Sequence, residues 1–377
     1  SAGALAGAFA GAGARRGPRV LTPAAFAHTI VRAFAVARGL PVPTLITGAQ
    51  QDRFIAELLA GHAEGLGARP PWPEDIPAAA LALPAFRAQV RDLFMRAAEF
   101  GLTPPELAAL GRAAGRPEWV AAAVLLAEYR DVVALADLPA ERGERYDSAA
   151  IVSEAATVLG DWEALATGAP PAVASVLVDD AQEATPATAR LLRALADRGT
   201  HLTLLGDPDV AVQTFRGARP HLLGRATEAA GLGALDGELV VLPTVHRGGP
   251  QLRDLVRETA ARVPVAQLAA HRDATVPPSE EAGGRDGVRV VQLPSDAAQA
   301  GWIARLLREQ QLYAGLDWER MAVVVRSSGA RRSIADAVRG QGVPVARTGG
   351  PVVLREAPAV RMLLAAVEAG IRGLTPA

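Results

Sequence analysis

The sequence predicts an α/β fold with parallel sheets, and three observations predict it. Short apolar runs alternate with amphipathic helical patterns over 174–205 and again over 288–326. A long block at 48–160 is helical by its apolar spacing almost throughout. The 377 residues are enough for two or three domains, each with a core of its own.

Taken in order, residues 1–14 are small and apolar without a basic start, so they fit a secretory signal poorly. They read as a truncated edge or a flexible tail. Pro-Arg-Val-Leu-Thr-Pro then leads into an amphipathic helix over 24–38. In the helical block, Phe54, Ile55, Leu58 and Leu59 recur at helical spacing, as do Val90, Leu93, Phe94 and Ala97. Proline-rich breaks at 70–77 and 104–105 separate its helices. After Pro170-Pro171 come a strand over 174–178, a helix over 186–198 and a strand over 201–205. A further strand over 238–242 precedes a helix over 251–263. Residues 264–287, rich in Pro, Glu, Gly and Asp, read as an exposed connector. A strand over 288–293, a helix over 296–311 and a strand over 321–326 follow.

Composition narrows the function. The net charge is −1, so no global basic field attracts nucleic acid, and any DNA contact rests on local arginines. There is no cysteine, which removes disulfides and thiolate metal sites. Lysine and asparagine are also absent, a pattern that fits coding bias. No apolar run reaches transmembrane length. A cytoplasmic protein with no membrane partner is expected.

The chemistry concentrates in two motifs. The first apolar strand runs into Val178-Asp179-Asp180-Ala181-Gln182-Glu183. It delivers two carboxylates to the carboxyl edge of a sheet, where open α/β folds bind ligands. One carboxylate there can hold Mg²⁺ through its water shell, and its neighbour can orient or deprotonate a water. A lone acidic pair at a strand end is often a solvated cap. Here a second strand ends in Gly206-Asp207-Pro208-Asp209-Val210, followed by Phe215-Arg216-Gly217-Ala218.

In this order and spacing the two stretches resemble motifs II and III of UvrD/Rep-type DNA helicases, DEAQD and GDxxQ…FRGA. The resemblance implies RecA-like P-loop NTPase domains with an inserted all-helical subdomain. It places part of the first RecA-like domain (1A) at 1–48, a 1B-like helical insertion at 49–160, the rest of 1A at 161–238, and part of the second domain (2A) at 239–377. Within the block, Trp72-Pro73, Phe86-Arg87, Arg91-Asp92-Leu93, Leu110-Gly111-Arg112 and Gly115-Arg116-Pro117-Glu118-Trp119 resemble motor subunits of the actinobacterial AdnAB-type helicase-nucleases. Arg87, Arg91 and Arg96 are candidates to line a DNA channel, or else form a solvated helix face.

The resemblance implies ATP and Mg²⁺ as cofactors, and DNA at a single-strand/duplex junction as partner, with a second helicase-nuclease subunit beside it. It assigns Asp179 to the metal, Asp180 to the attacking water, Gln182 to coupling, and Gly206 and Asp207 to the floor of the nucleotide pocket. Arg247, in Val245-His246-Arg247, matches the arginine finger. Thr22, Gln213, Phe215, Arg216 and Arg326 match positions at the DNA. The departures are equally specific. No GxxxxGK[ST] loop is present in a chain without lysine. Asp180 replaces Glu, Val210 replaces the γ-phosphate-sensing Gln, Gln213 replaces an aromatic, and Pro23 and Ala24 interrupt a Thr-Phe-His-Ser-Phe motif that keeps only Thr22 and Phe26. Two functions stay open: an ATP-dependent DNA helicase or translocase seen as a fragment without its P-loop, acting in repair or recombination, and a catalytically silent helicase-like subunit. An unrelated phosphotransferase with an acidic metal pair is a third, weaker alternative.

Overall fold

Helices dominate the computed structural model, and two short parallel strand pairs lie among them. It describes residues 19–135, 145–265, 269–276 and 287–346, with 360, 362–364 and 366–367. The expected tail at 1–14 lies outside these residues. The chain divides into two compact units, 1–287 and 288–377.

The first unit opens with α1 (Pro23–Ala37), which starts where the sequence says it should: the Thr22 hydroxyl accepts from Ala25 N at 3.2 Å, and Pro23 occupies the first helical position. The pair β1 (Thr44–Leu45) and β2 (Arg145–Tyr146) is parallel and encloses the helical block. That block holds α2 (Gly48–Ala63), α3 (Pro84–Phe100), α4 (Pro104–Ala113) and α5 (Pro117–Leu135). Capping boxes begin α2 (Thr47 with Gln50) and α4 (Thr103 with Glu106), and α3 stops at left-handed Gly101.

Two hydrophobic cores follow from this arrangement. Phe54, Ile55, Phe94, Leu107, Leu125 and Leu126 fill the core of the block. The other core joins α1 to α6 (Ser148–Gly160) and α7 (Pro186–Asp197) through Ile30, Phe34, Ile151, Val158, Leu191 and the fully buried Trp162. Residues 148–160 therefore pack with α1, although their pattern is continuous with the helical block.

β3 (Ser175–Val178) and β4 (His201–Leu204) pair in parallel, with Ser175 opposite His201 and Val178 opposite Leu204. The helix between them, α7, is capped by Thr185 and begins at Pro186. This strand–helix–strand unit matches the sequence reading within a residue or two. The strand expected at 238–242 does not form: the segment has no regular structure and is exposed, Val240 at 73%. Strand character needs a neighbour for its backbone groups, and among the described residues none lies alongside. Downstream, α8 (Pro250–Ala260) forms as expected. The expected connector holds more structure than its composition announces: residues 270–273 form a helical turn, and Thr275 bridges to Thr244.

The second unit contains α9 (Asp296–Ala314), capped by Ser295, and α10 (Ser328–Gly340), capped by Ser327. They meet over Ala304, Val338 and Val343. The strands expected at 288–293 and 321–326 find no pairing partner among the described residues, with Val290 and Val324 87% and 93% exposed.

Candidate nucleotide and nucleic-acid site

The sheet delivers its acidic pair as the pattern requires. Asp179 and Asp180 follow the last residue of β3, both exposed. The backbone turns sharply there. Asp180 lies in the left-handed region (φ 52°), and its amide donates to Asp179 Oδ1 at 3.0 Å. Aspartate tolerates this conformation better than most residues, because its short polar side chain bonds locally.

Gln182 is the hub of the site. It is 2% exposed, its Nε2 donates to Asp180 Oδ1 at 3.2 Å, and its Oε1 accepts from Asp207 N at 3.2 Å. One side chain thus joins the acidic turn after β3 to the loop after β4. Gly206 makes that approach possible: a Cβ there would lie 2.6 Å from Gln182 Oε1 and 2.9 Å from Leu223 Cδ2. Asp207 in turn caps the loop, accepting from Asp209 N at 2.9 Å.

Two residues complete the frame: Glu183, which the sequence reading left without a role, and Arg96, which it placed at a DNA channel or a solvated face rather than at this loop. Glu183, the last letter of DDAQE, accepts from Val212 N at 2.6 Å and Gln213 N at 2.9 Å, so its carboxylate shapes the loop. The signal was its place beside Gln182. Arg96, from α3 in the helical block, donates to the Phe215 carbonyl. Its guanidinium lies where a side chain on residue 217 would stand. With φ at 102°, that position suits glycine twice over. One turn along α3, buried Glu99 accepts from Ala187 N at 3.3 Å at the start of α7. Burial raises the Glu99 carboxyl above its usual range, against its hydrogen bonds with Thr185 and Ala187 and the charges of Arg190 and Arg96. A cavity of about 260 Å³ lies here, lined by Arg96, Glu99, Thr214, Gly217, Arg219 and His221. It is separate from the acidic pair.

Other candidates stand apart. Phe215 is 67% exposed, with the Arg216 guanidinium 5.3 Å from its ring centre. The Thr22 hydroxyl caps α1, and Phe26 packs against the core. Arg247 is exposed on the turn before α8, with no hydrogen bond or ion pair among the described residues. Arg326 is exposed in the second unit, in an unpaired segment. Val210 is 53% exposed. The arginines of α3 do not form a solvated face: Arg87, Arg91 and Arg96 are half-buried. Arg87 pairs with Asp52 at 3.2 Å, Arg91 covers Gly48, and Arg96 holds Phe215. Helical spacing shows which residues share a face but not which carboxylate or carbonyl comes to meet them.

The acidic turn offers hard oxygen donors that face outward, a set that fits Mg²⁺ through its water shell. The family model of the UvrD/REP helicase N-terminal domain matches residues 17–230, more than half of the chain. The chain belongs to the UvrD/REP helicase family. The match spans the acidic pair, the loop after β4 and the helical block alike. Membership implies a DNA-binding helicase domain, of a type that in general uses ATP and Mg²⁺. No individual curated protein matches the chain. No described helix is long and apolar enough to cross a membrane.

Proposed function

We propose that this UvrD/REP chain carries the motif II and motif III part of an ATP-dependent DNA helicase or translocase motor, acting in DNA repair or recombination. The buried Gln182 carries the reading, because it bonds the motif II acid Asp180 and the motif III backbone at Asp207 together. In this reading Asp179 holds Mg²⁺, which supplies charge neutralisation at the phosphates, and Asp180 orients water. Gly206 and Asp207 form the floor of the nucleotide pocket, and Arg247 is the arginine finger. Phe215 stacks on a base, Arg216 meets a phosphate, and Gln213, Thr22 and Arg326 lie along the DNA.

In this reading the first RecA-like domain comprises 1–48 with 161–238, the 1B-like insertion lies at 49–160, and the 2A portion begins at 239; the packing of 148–160 on α1 favours moving that helix to the first domain. On the same reading the phosphate loop belongs to a longer motor, similar to a subunit of an AdnAB-type helicase-nuclease working beside a second subunit; a motor without its phosphate cradle is the silent alternative.

Steady-state ATP hydrolysis by the longer protein, with and without single-stranded DNA, tests this. Asp179→Ala should abolish turnover. Arg247→Ala should lower kcat far more than nucleotide affinity, because a finger acts on transition-state charge. Undiminished turnover in Asp179→Ala overturns the assignment. Two observations favour a silent subunit as the second reading. Asp180 is one methylene shorter than the family's Glu, and Val210 lacks the sensing amide. Tight DNA binding with no turnover at all would select it.

A further inference from the structure

The segment read from composition as a connector grips motif III. Arg272 forks onto Asp209, with Nε to Oδ2 at 2.8 Å and Nη2 to Oδ1 at 2.6 Å. His271 Nε2 lies 2.8 Å from Asp209 Oδ2 and 3.4 Å from Asp207 Oδ1. The pair is well shielded: the side chains of Arg272 and Asp209 are 14% and 12% exposed. Two parallel charge-assisted bonds in such a place fix orientation as well as distance.

The grip extends backward along the chain. Arg253 of α8 donates to the carbonyls of His271, Arg272 and Ala274. Thr275 N donates to Pro243 O at 2.9 Å, and Val245 N donates to Thr275 O at 2.9 Å. Arg272 Nη2 also reaches Val263 O at 3.2 Å. The strap therefore binds both sides of residues 246–252, which include Arg247. Nothing else described connects motif III so directly to that stretch.

We propose that Asp209, His271 and Arg272 form a latch that fixes the Arg247-bearing segment to the motif III loop. They are positioning residues, and a shift of motif III on nucleotide or DNA binding is transmitted through them to Arg247. That consequence rests on the helicase reading, whereas the latch itself is tested without ATP or DNA.

The absence of cysteine makes the test clean. Spin labels are placed on Val212→Cys, exposed on the motif III loop, and on Glu258→Cys, exposed on α8. The distance distribution is then read by double electron–electron resonance, with a thermal melt of every variant. The latch gives one narrow peak. Arg272→Ala should lose it, and so should Asp209→Asn, which keeps the side-chain volume. The swap of Asp209→Arg with Arg272→Glu should restore it. A peak of unchanged width in both single variants overturns the latch. So does a folded swap variant that stays as broad as the singles.

Discussion

At the scale of single residues, the site depends on small groups at close approaches. Gly206 is the sharpest case. A methyl there would press on Gln182 Oε1 and Leu223 Cδ2, at 2.6 and 2.9 Å. Overpacking of this kind costs roughly 1–3 kcal/mol. Gly206→Ala should therefore lower the melting temperature, and an unchanged melt shows that the loop has room after all. Val210 is the opposite case. Half-exposed as it is, a glutamine there buries no unpaired amide. Val210→Gln should change stability by less than about 0.5 kcal/mol, as surface substitutions do. In the longer protein it should raise DNA-stimulated ATP hydrolysis by restoring the missing amide. A melt shift well beyond that range contradicts the exposed placement, and unchanged hydrolysis contradicts the sensor role. Asp179, Asp180, Gln182 and Gly206-Asp207 were legible in the sequence because strand ends and short motifs announce them. The roles of Glu183 and Arg272, and the partner of Arg96, were not, since they depend on distant segments.

At the scale of elements, periodicity and proline breaks foretold the helices well, and the structure adds their caps. The hydroxyls of Thr22, Thr47, Thr185, Ser295 and Ser327 each accept from the backbone at a helix start. Strands were harder. Apolar runs at 238–242, 288–293 and 321–326 have strand composition, but a strand exists only when another backbone pairs with it. Core assignment also escaped the pattern, because 148–160 is helical like its neighbours and yet packs on α1. Trp162 closes that core, edge-on to Phe34 at 5.4 Å between ring centres. Trp162→Ala should cost about 3–5 kcal/mol. Hydrogen exchange should show the loss in α1, α6 and α7 before the helical block, and equal loss in both would merge the two cores into one cooperative unit.

The strap of residues 269–276 carries a pH signature. The Arg272 guanidinium, with help from His271, holds the Asp209 carboxyl below its ordinary value. A carboxylate with a depressed folded pKa stabilises the fold above its unfolded value of about 3.9 and loses that contribution as pH falls through the folded value. Acid unfolding of the wild type should therefore be steeper below about pH 4 than that of Arg272→Ala, whose Asp209 has lost its main partner. Parallel acid profiles would mean that the ion pair adds nothing to stability.

For the molecule as a whole, we propose that a helicase frame presents Phe215 and Arg216 to DNA on a loop tied to the acidic turn at Asp179 and Asp180. Gln182 ties that loop from the acidic turn, Glu183 from the same motif, and Arg96 from the helical block. The exposed Phe215 with Arg216 at its ring is the face this frame presents. Net charge gives no general attraction, so binding should depend on these few side chains. The most direct measurement is fluorescence anisotropy of a labelled oligothymidine titrated with the chain and its Phe215→Ala variant at fixed salt. One lost stacking contact is worth roughly 1–3 kcal/mol, so Phe215→Ala should weaken binding about tenfold or more with an unchanged melt. Equal affinity of the two proteins for the oligonucleotide would contradict it.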